Sequence, residues 1–112
     1  MNSVDVRRHL PLNPRELLVL ASLIDGPLHG YGIIKAVEER SDWDVLLDPA
    51  NLYRVLRRMR SVGWIEEAGT TDERRKTYAL TRTGRQVVAA ELGRLERLLG
   101  HALPRLAQRE AI

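Results

Sequence analysis

Asp48-Pro49-Ala50-Asn51-Leu52-Tyr53-Arg54-Val55-Leu56-Arg57-Arg58-Met59-Arg60-Ser61-Val62-Gly63 is the stretch on which the fold turns. Asp48 is a helix-capping residue, Pro49 suits a first helical turn where no N–H is missed, and Gly63 is a natural C-terminal stop. Between them lies a helix of about four turns. Leu52, Val55, Leu56, Met59 and Val62 recur at helical spacing and make one apolar face that sinks into a core. The opposite face carries Asn51, Tyr53, Arg54, Arg57, Arg58, Arg60 and Ser61, with four arginines and no carboxylate inside the helix. An amide, a phenol and guanidinium groups are what a major-groove reader uses, since Asn pairs with adenine and Arg with guanine or phosphate. Taken alone, the same helix is equally at home as a solvated basic surface. Its flanks decide.

The chain has 112 residues, a net charge of +3, no Cys and no Phe. That length and apolar content fit one domain with a modest core of Leu, Val, Ile and Ala. Without cysteine there are no disulfides, thiolate metal sites or thiol nucleophiles, which fits a reducing compartment. Neither the opening residues nor any later run reads as a signal peptide or a membrane span, so a cytoplasmic protein without membrane contact is expected. Charge is focused: residues 49–62 carry +4 and 81–112 carry +3, whereas 13–48 carry −4. Sixteen of the eighteen cationic residues are Arg, which favours planar, bidentate contacts.

Outward from the central helix, residues 1–12 read as an N-terminal arm with Pro11, in which Arg7 and Arg8 are either phosphate ligands or a frayed terminus. Asn13-Pro14-Arg15-Glu16 opens a first helix in the manner of a capping box, with Leu17, Leu20, Ala21 and Ile24 as its buried stripe, Leu18 and Leu23 widening it, and Gly26-Pro27 as its stop. His29-Gly30-Tyr31-Gly32 opens a second helix running to about Arg40. His29 either faces a phosphate at this helix N-terminus or caps it, the cap being preferred, and Gly30 or Gly32 is expected to let another helix approach closely. Trp43, Val45 and Leu47 alternate with polar or apolar neighbours and predict a short strand. Trp64–Ala68 and Lys76–Leu80 predict a hairpin around the polar tip Gly69–Arg75. Three helices and such a hairpin make a winged helix-turn-helix, expected over residues 13–80. Residues 81–112 then form a C-terminal helix and tail. Thr81 caps this helix, and Val88, Leu92, Leu95, Leu99 and Ala102 follow at intervals of 4, 3, 4 and 3. A seam that long exceeds what a small domain can cover and implies a partner helix. Pro104 is expected to end or kink the helix near Leu103.

The fold class is therefore mainly α with a small β-hairpin. Leu17-Leu18 through Leu23-Ile24, Gly26-Pro27-Leu28-His29-Gly30-Tyr31-Gly32-Ile33, Leu52-Tyr53, Gly63-Trp64-Ile65-Glu66, and Asp72-Glu73-Arg74-Arg75-Lys76-Thr77-Tyr78-Ala79-Leu80-Thr81-Arg82-Thr83-Gly84 stand in that order. With them the chain resembles the PadR family of bacterial winged-helix transcriptional regulators, from Pro14 to about Leu103, in its short form with one C-terminal helix. The resemblance implies a homodimeric regulator, usually a repressor. Such a regulator binds a pseudo-palindromic operator in double-stranded DNA and lets go when a small-molecule effector changes the separation of its heads. It implies no cofactor, and an effector cavity at the dimer interface for which Trp43 and Trp64 are candidates, core packing being the plainer role for each. This chain departs from the common pattern where Gly32 replaces an acidic residue, Ala50-Asn51 replace Gly-Thr and Arg54 replaces Pro, so relatives' operator preferences do not transfer.

From these readings Asn51 and Arg54 are expected at base edges and Tyr53 at a phosphate or a thymine methyl. Arg57 and Arg58 are placed on the backbone, with Arg60 too far along. Arg74, Arg75 and Lys76 of the wing are placed on phosphate or the minor groove, the alternative being pairing with Asp72 and Glu73. Val88, Leu92, Leu95 and Leu99 are expected at the centre of the dimer seam, with packing of this helix back onto its own first helix as the ordinary reading that holds beside it. A rival reading makes the same fold a protein-interaction module without DNA binding. An enzyme is disfavoured: His9, His29 and His101 lack metal-ligand spacing, and no phosphate loop or catalytic acid–base pair is present.

Overall fold

A computed structural model of the chain describes residues 6–111. In order these form α1 (Pro14–Ser22), β1 (Leu28–His29), α2 (Gly30–Arg40), α3 (Pro49–Ser61), β2 (Ile65–Thr70), β3 (Lys76–Leu80) and α4 (Arg82–Glu110). Local chemistry sets each helix start. The Asn13 side chain accepts the Glu16 N–H, Asp48 that of Asn51 and Thr81 that of Gly84. His29 caps α2 through its ring, as the sequence predicted.

The sheet has three antiparallel strands in the order β1-β3-β2, and β1 was not foreseen. Leu28 pairs with Tyr78 and His29 with Thr77, so the residues that open α2 are stitched to the hairpin. The strand predicted at Trp43, Val45 and Leu47 does not form. Asp42 and Trp43 have φ of 55° and 67°, in the left-handed region, and the Ser41 hydroxyl accepts the Val45 N–H. That segment is the tight exit of α2; only Leu47 of the three is buried, while Trp43 is 62% exposed. The left-handed backbone at Asp42 and Trp43 interrupts the extended conformation that a strand needs, and the run joins no strand of the sheet.

Val19, Leu20, Leu23, Ile33, Val37, Leu52, Leu56, Met59, Trp64 and Val87 are fully covered and form the centre of the core. Of the predicted stripe of α1, Leu20 and Leu23 are fully buried and Ala21 half-buried, and the covered sector extends further. Glu16, Val19, Leu20 and Ser22 are inside, Leu17 and Leu18 are half-buried, and Ile24 lies beyond the helix end, partly exposed. Helix α1 packs against both α2 and α4, so its covered sector is wider than a single stripe. The predicted arm is not loose over its described part: Val6 and Leu12 join the core. The Leu12 N–H donates to Glu91 Oε2 at 2.7 Å, which fastens this segment to α4.

Helix α4 is continuous through Pro104, so of the two outcomes expected there, an end or a kink near Leu103, the end does not occur. Proline removes one hydrogen bond and crowds the preceding turn, which an exposed helix absorbs by local adjustment. With 29 residues the helix is about 43 Å long, and it accounts for the elongated 58 × 34 × 22 Å shape. Where α4 starts, Gly84 presses on the backbone of Trp64: a Cβ built there would lie 1.9 Å from the Trp64 carbonyl oxygen.

Candidate nucleic-acid interface

Helix α3 is fixed at both ends. Asp48 takes the Asn51 backbone N–H on one carboxylate oxygen, at 2.8 Å, and the Asn51 amide nitrogen on the other, at 2.9 Å. At the far end Gly63 has φ of 81°, with Trp64 N–H on the Met59 carbonyl and Gly63 N–H on the Arg60 carbonyl. This is a Schellman stop, in which buried Trp64 and Met59 supply the accompanying hydrophobic contact. Leu52, Leu56 and Met59 anchor the inner face; Val55 is half-buried and Val62 partly exposed. Gly30 lets α2 close on α3, since a Cβ there would lie 3.3 Å from Leu52 Cδ2.

The outer face is less uniformly cationic than its sequence. Arg58 Nε lies 3.3 Å from Glu16 Oε2, and its guanidinium sits 5.5 Å from the Trp64 ring centroid. Glu16 is buried, so Arg58, read from the sequence as a phosphate ligand, also pairs with an interior carboxylate of α1, while its side chain stays 56% exposed. Arg60 pairs with Glu67 at 3.2 Å. Arg54 and Arg57 remain exposed and have no ion-pair partner among the described residues, with Tyr53 exposed beside them. The positive charge of α3 is thereby concentrated in its middle, next to the oriented Asn51 amide. With one N–H of that amide held by Asp48, its other N–H and its oxygen still offer a donor and an acceptor, the pair that matches adenine.

Hairpin β2–β3 holds the wing. Its register shifts between Glu67 and Gly69, where the ladder admits an extra residue, and Gly69 has φ of 127°. At the tip Arg74 has φ of 62°, its N–H donating to the Thr71 carbonyl, while the Arg75 carbonyl accepts the Thr71 N–H. Arg74 is exposed and carries no ion pair among the described residues. Arg75 pairs with Glu73 at 3.2 Å, and Lys76 with Glu67 at 3.6 Å. The charge-pairing alternative therefore describes Arg75 in part, through Glu73. Glu67 takes Lys76 and Arg60 on one oxygen and so links the wing to the end of α3.

Between α3, the start of α2 and the wing runs an open groove of about 870 Å³, walled by His29, Tyr31, Tyr53, Arg57, Arg75 and Lys76. His29 Nδ1 accepts the Gly32 N–H at 3.1 Å, and its Nε2 lies 3.4 Å from Arg75 Nη1. Sequence reading weighed His29 as a helix cap or as a phosphate contact at the start of α2; its place beside Arg75 of the wing was not legible, because β1 was not foreseen. Glu16 and Glu67 were likewise missed as partners of the α3 arginines.

On α4, Val88 is buried against its own head, along with Val87, and so leaves the seam assigned to it. Leu92, Leu98, Leu99, Leu103 and Leu106 are exposed and Leu95 half-buried, a continuous apolar stripe. Trp64 is in the core while Trp43 stands on the surface, so the two do not share a wall within one protomer. No helix of the described residues is long and apolar enough to cross a membrane.

Residues 19–90 match the profile of the transcriptional regulator PadR-like family. The chain is 38% identical over 91 residues to a 37.1 kDa protein in transposon TN4556 of Streptomyces fradiae, covering 79% of this chain and 25% of that protein. It thus spans about a quarter of that relative's length. A PadR family transcription regulator from Clostridium difficile superposes with a TM-score of 0.67 at 26% identity, over 81% of this chain and 99% of that one. Bacillus subtilis PadR, solved in complex with operator DNA, gives 0.61 at 25% identity, over 69% of this chain and 45% of that one.

Proposed function

The chain belongs to the transcriptional regulator PadR-like family, and we propose that it works as a homodimer that lays α3 of each protomer into a major groove of a pseudo-palindromic operator. The observation that carries this is the selective neutralisation of α3. Arg58 and Arg60 are paired internally, while Arg54, Arg57 and Tyr53 are left outward beside an Asn51 amide held by Asp48. A merely solvated basic helix has no need of that division. Asn51 and Arg54 then meet base edges, Arg57 and the wing residues Arg74, Arg75 and Lys76 meet phosphates, and residues 13–80 form the DNA-binding head. The stripe from Leu92 through Leu95 and Leu99 to Leu106 supports pairing of two α4 helices, setting the heads about one DNA turn apart. Repression, and release by an effector that alters that spacing, are the regulatory reading the family resemblance favours.

The test is fluorescence anisotropy on the duplex upstream of the protein's own gene, in a salt series, with random duplex as competitor. Preference for the upstream fragment and a steep salt slope are expected. Asn51→Ala should cost about 1–3 kcal/mol on the preferred duplex and little on random DNA. Equal losses on both would remove Asn51 from base reading. Absence of affinity for any duplex at low salt, with salt-insensitive binding to a protein partner, would replace the reading with that of an interaction module.

A further inference from the structure

We infer that His29 and Arg75 together hold one phosphodiester oxygen of the DNA backbone, in the groove between α3 and the wing. This rests on the DNA-binding reading above and adds a residue to it that is outside the recognition helix. His29 Nδ1 accepts the Gly32 N–H at 3.1 Å, so its lone pair is committed to capping α2. In a neutral imidazole the proton is then on Nε2, which makes Nε2–H a donor. Nε2 lies 3.4 Å from Arg75 Nη1, and a guanidinium has donors only. Two N–H groups therefore face one another and cannot satisfy each other. Moving the proton to Nδ1 would let Arg75 donate to Nε2 but would break the cap. A second proton on the ring would break the cap and also set two cations side by side.

An acceptor resolves this arrangement without disturbing the cap. An oxygen about 2.9 Å from each nitrogen, the ordinary N–H···O distance, closes a triangle on the 3.4 Å base. The surroundings suit an anion. Arg57, Lys76 and Tyr53 wall the same groove. Glu73 draws on Arg75 Nε at 3.2 Å, which leaves the outer guanidinium nitrogens for the groove. Tyr31 lies beside the imidazole, nearly parallel at 16°. The groove adjoins the exposed face of α3, so a strand whose bases meet that face carries its backbone past it. That continuity favours a phosphodiester over a free anion.

The proposal is tested on the full chain with the preferred duplex, using His29→Asn, Arg75→Ala and the double variant. Asn retains a capping oxygen but has no second ring nitrogen. His29→Asn should weaken binding about tenfold with an unchanged melting temperature and salt slope. Arg75→Ala should weaken it comparably while lowering the slope by about one counterion. The double variant should bind within about twofold of Arg75→Ala, because both groups serve one oxygen. A scan of single methylphosphonates should find one position that weakens the wild type and leaves the double variant unaffected. Should the Asn variant lose stability, His29→Ser, also a capping residue, repeats the comparison. Additive losses, or His29→Asn binding like wild type, would overturn the shared-oxygen assignment while leaving DNA binding intact. Inorganic phosphate that shifts the His29 ring resonances, with no methylphosphonate position sensitive, would assign the pair to a free anion instead. A wild type without affinity for any duplex would end both readings.

Discussion

Replacing Gly84 by Ala tests the joint between the winged head and α4. The added Cβ would lie 1.9 Å from the Trp64 carbonyl oxygen, 2.9 Å from its carbonyl carbon and 3.3 Å from Leu80 Cδ2. The first two are backbone atoms, so no rotamer change relieves them. The same oxygen accepts the Thr81 N–H at 3.0 Å, and retreat of Trp64 would stretch that bond. Overpacking of this kind costs about 1–3 kcal/mol, and loss of one backbone hydrogen bond about 1 kcal/mol more. Against this, Ala is favoured over Gly inside a helix by about 1 kcal/mol. The net is a destabilisation of about 2 kcal/mol, or a fall of roughly 8 °C in Tm for a chain of this size. Calorimetry or circular dichroism at matched protein concentrations reads it. Gly100→Ala is the internal comparison: nothing lies within 4 Å of a Cβ there, so the helical gain stands alone and Tm should rise. Gly84→Ala melting at or above the wild type would refute the close approach and the account of the joint built on it.

Two other variants probe the connections that α4 makes. Glu91 is 1% exposed, and the Arg94 hydrogen bond foremost, with the Leu12 N–H, holds its carboxyl below the ordinary value against the opposing effect of burial. Its folded value being lowered, Glu91 stabilises the fold above the unfolded carboxylate range, and this is lost as pH falls through the folded value. Urea unfolding from pH 6 to pH 3 should therefore weaken more steeply in wild type than in Glu91→Gln. Glu91→Ala should cost about 1–3 kcal/mol at neutral pH by leaving the Leu12 N–H without an acceptor. Leu95→Glu with Leu99→Glu should give a folded monomer in sedimentation, with helical content intact. Affinity for a two-half-site duplex should fall about a hundredfold or more, and for a single half-site very little; a dimer persisting at micromolar concentration would contradict the seam.

Elements whose signals are local were legible residue by residue. Asn13, His29, Asp48 and Thr81 each cap the helix that follows, because a cap is formed within three residues of the chain. The amphipathic face of α3 and the two hairpin strands were equally plain. The errors lie where pairing or packing over long separations decides. Trp43 to Leu47 has a strand's alternation but starts in a tight left-handed turn after α2, whereas Leu28 and His29 have no strand signature and are drawn into the sheet by β3. Pro104 is a local breaker in a helix that continues past it.

The sequence by itself determined the helix starts, the β2–β3 hairpin and the concentration of positive charge on one helix and one hairpin, all properties of spacing and composition. Tertiary structure alone decided which of those cations remain available. Glu16 stands 42 positions before Arg58 yet lies 3.3 Å from it, and Glu67 gathers Arg60 and Lys76 from two elements. His29 and Arg75, 46 positions apart, meet only because β1 pairs with β3. Charge pairing depends on distance in space, and for residues so far apart that distance is a property of the folded chain.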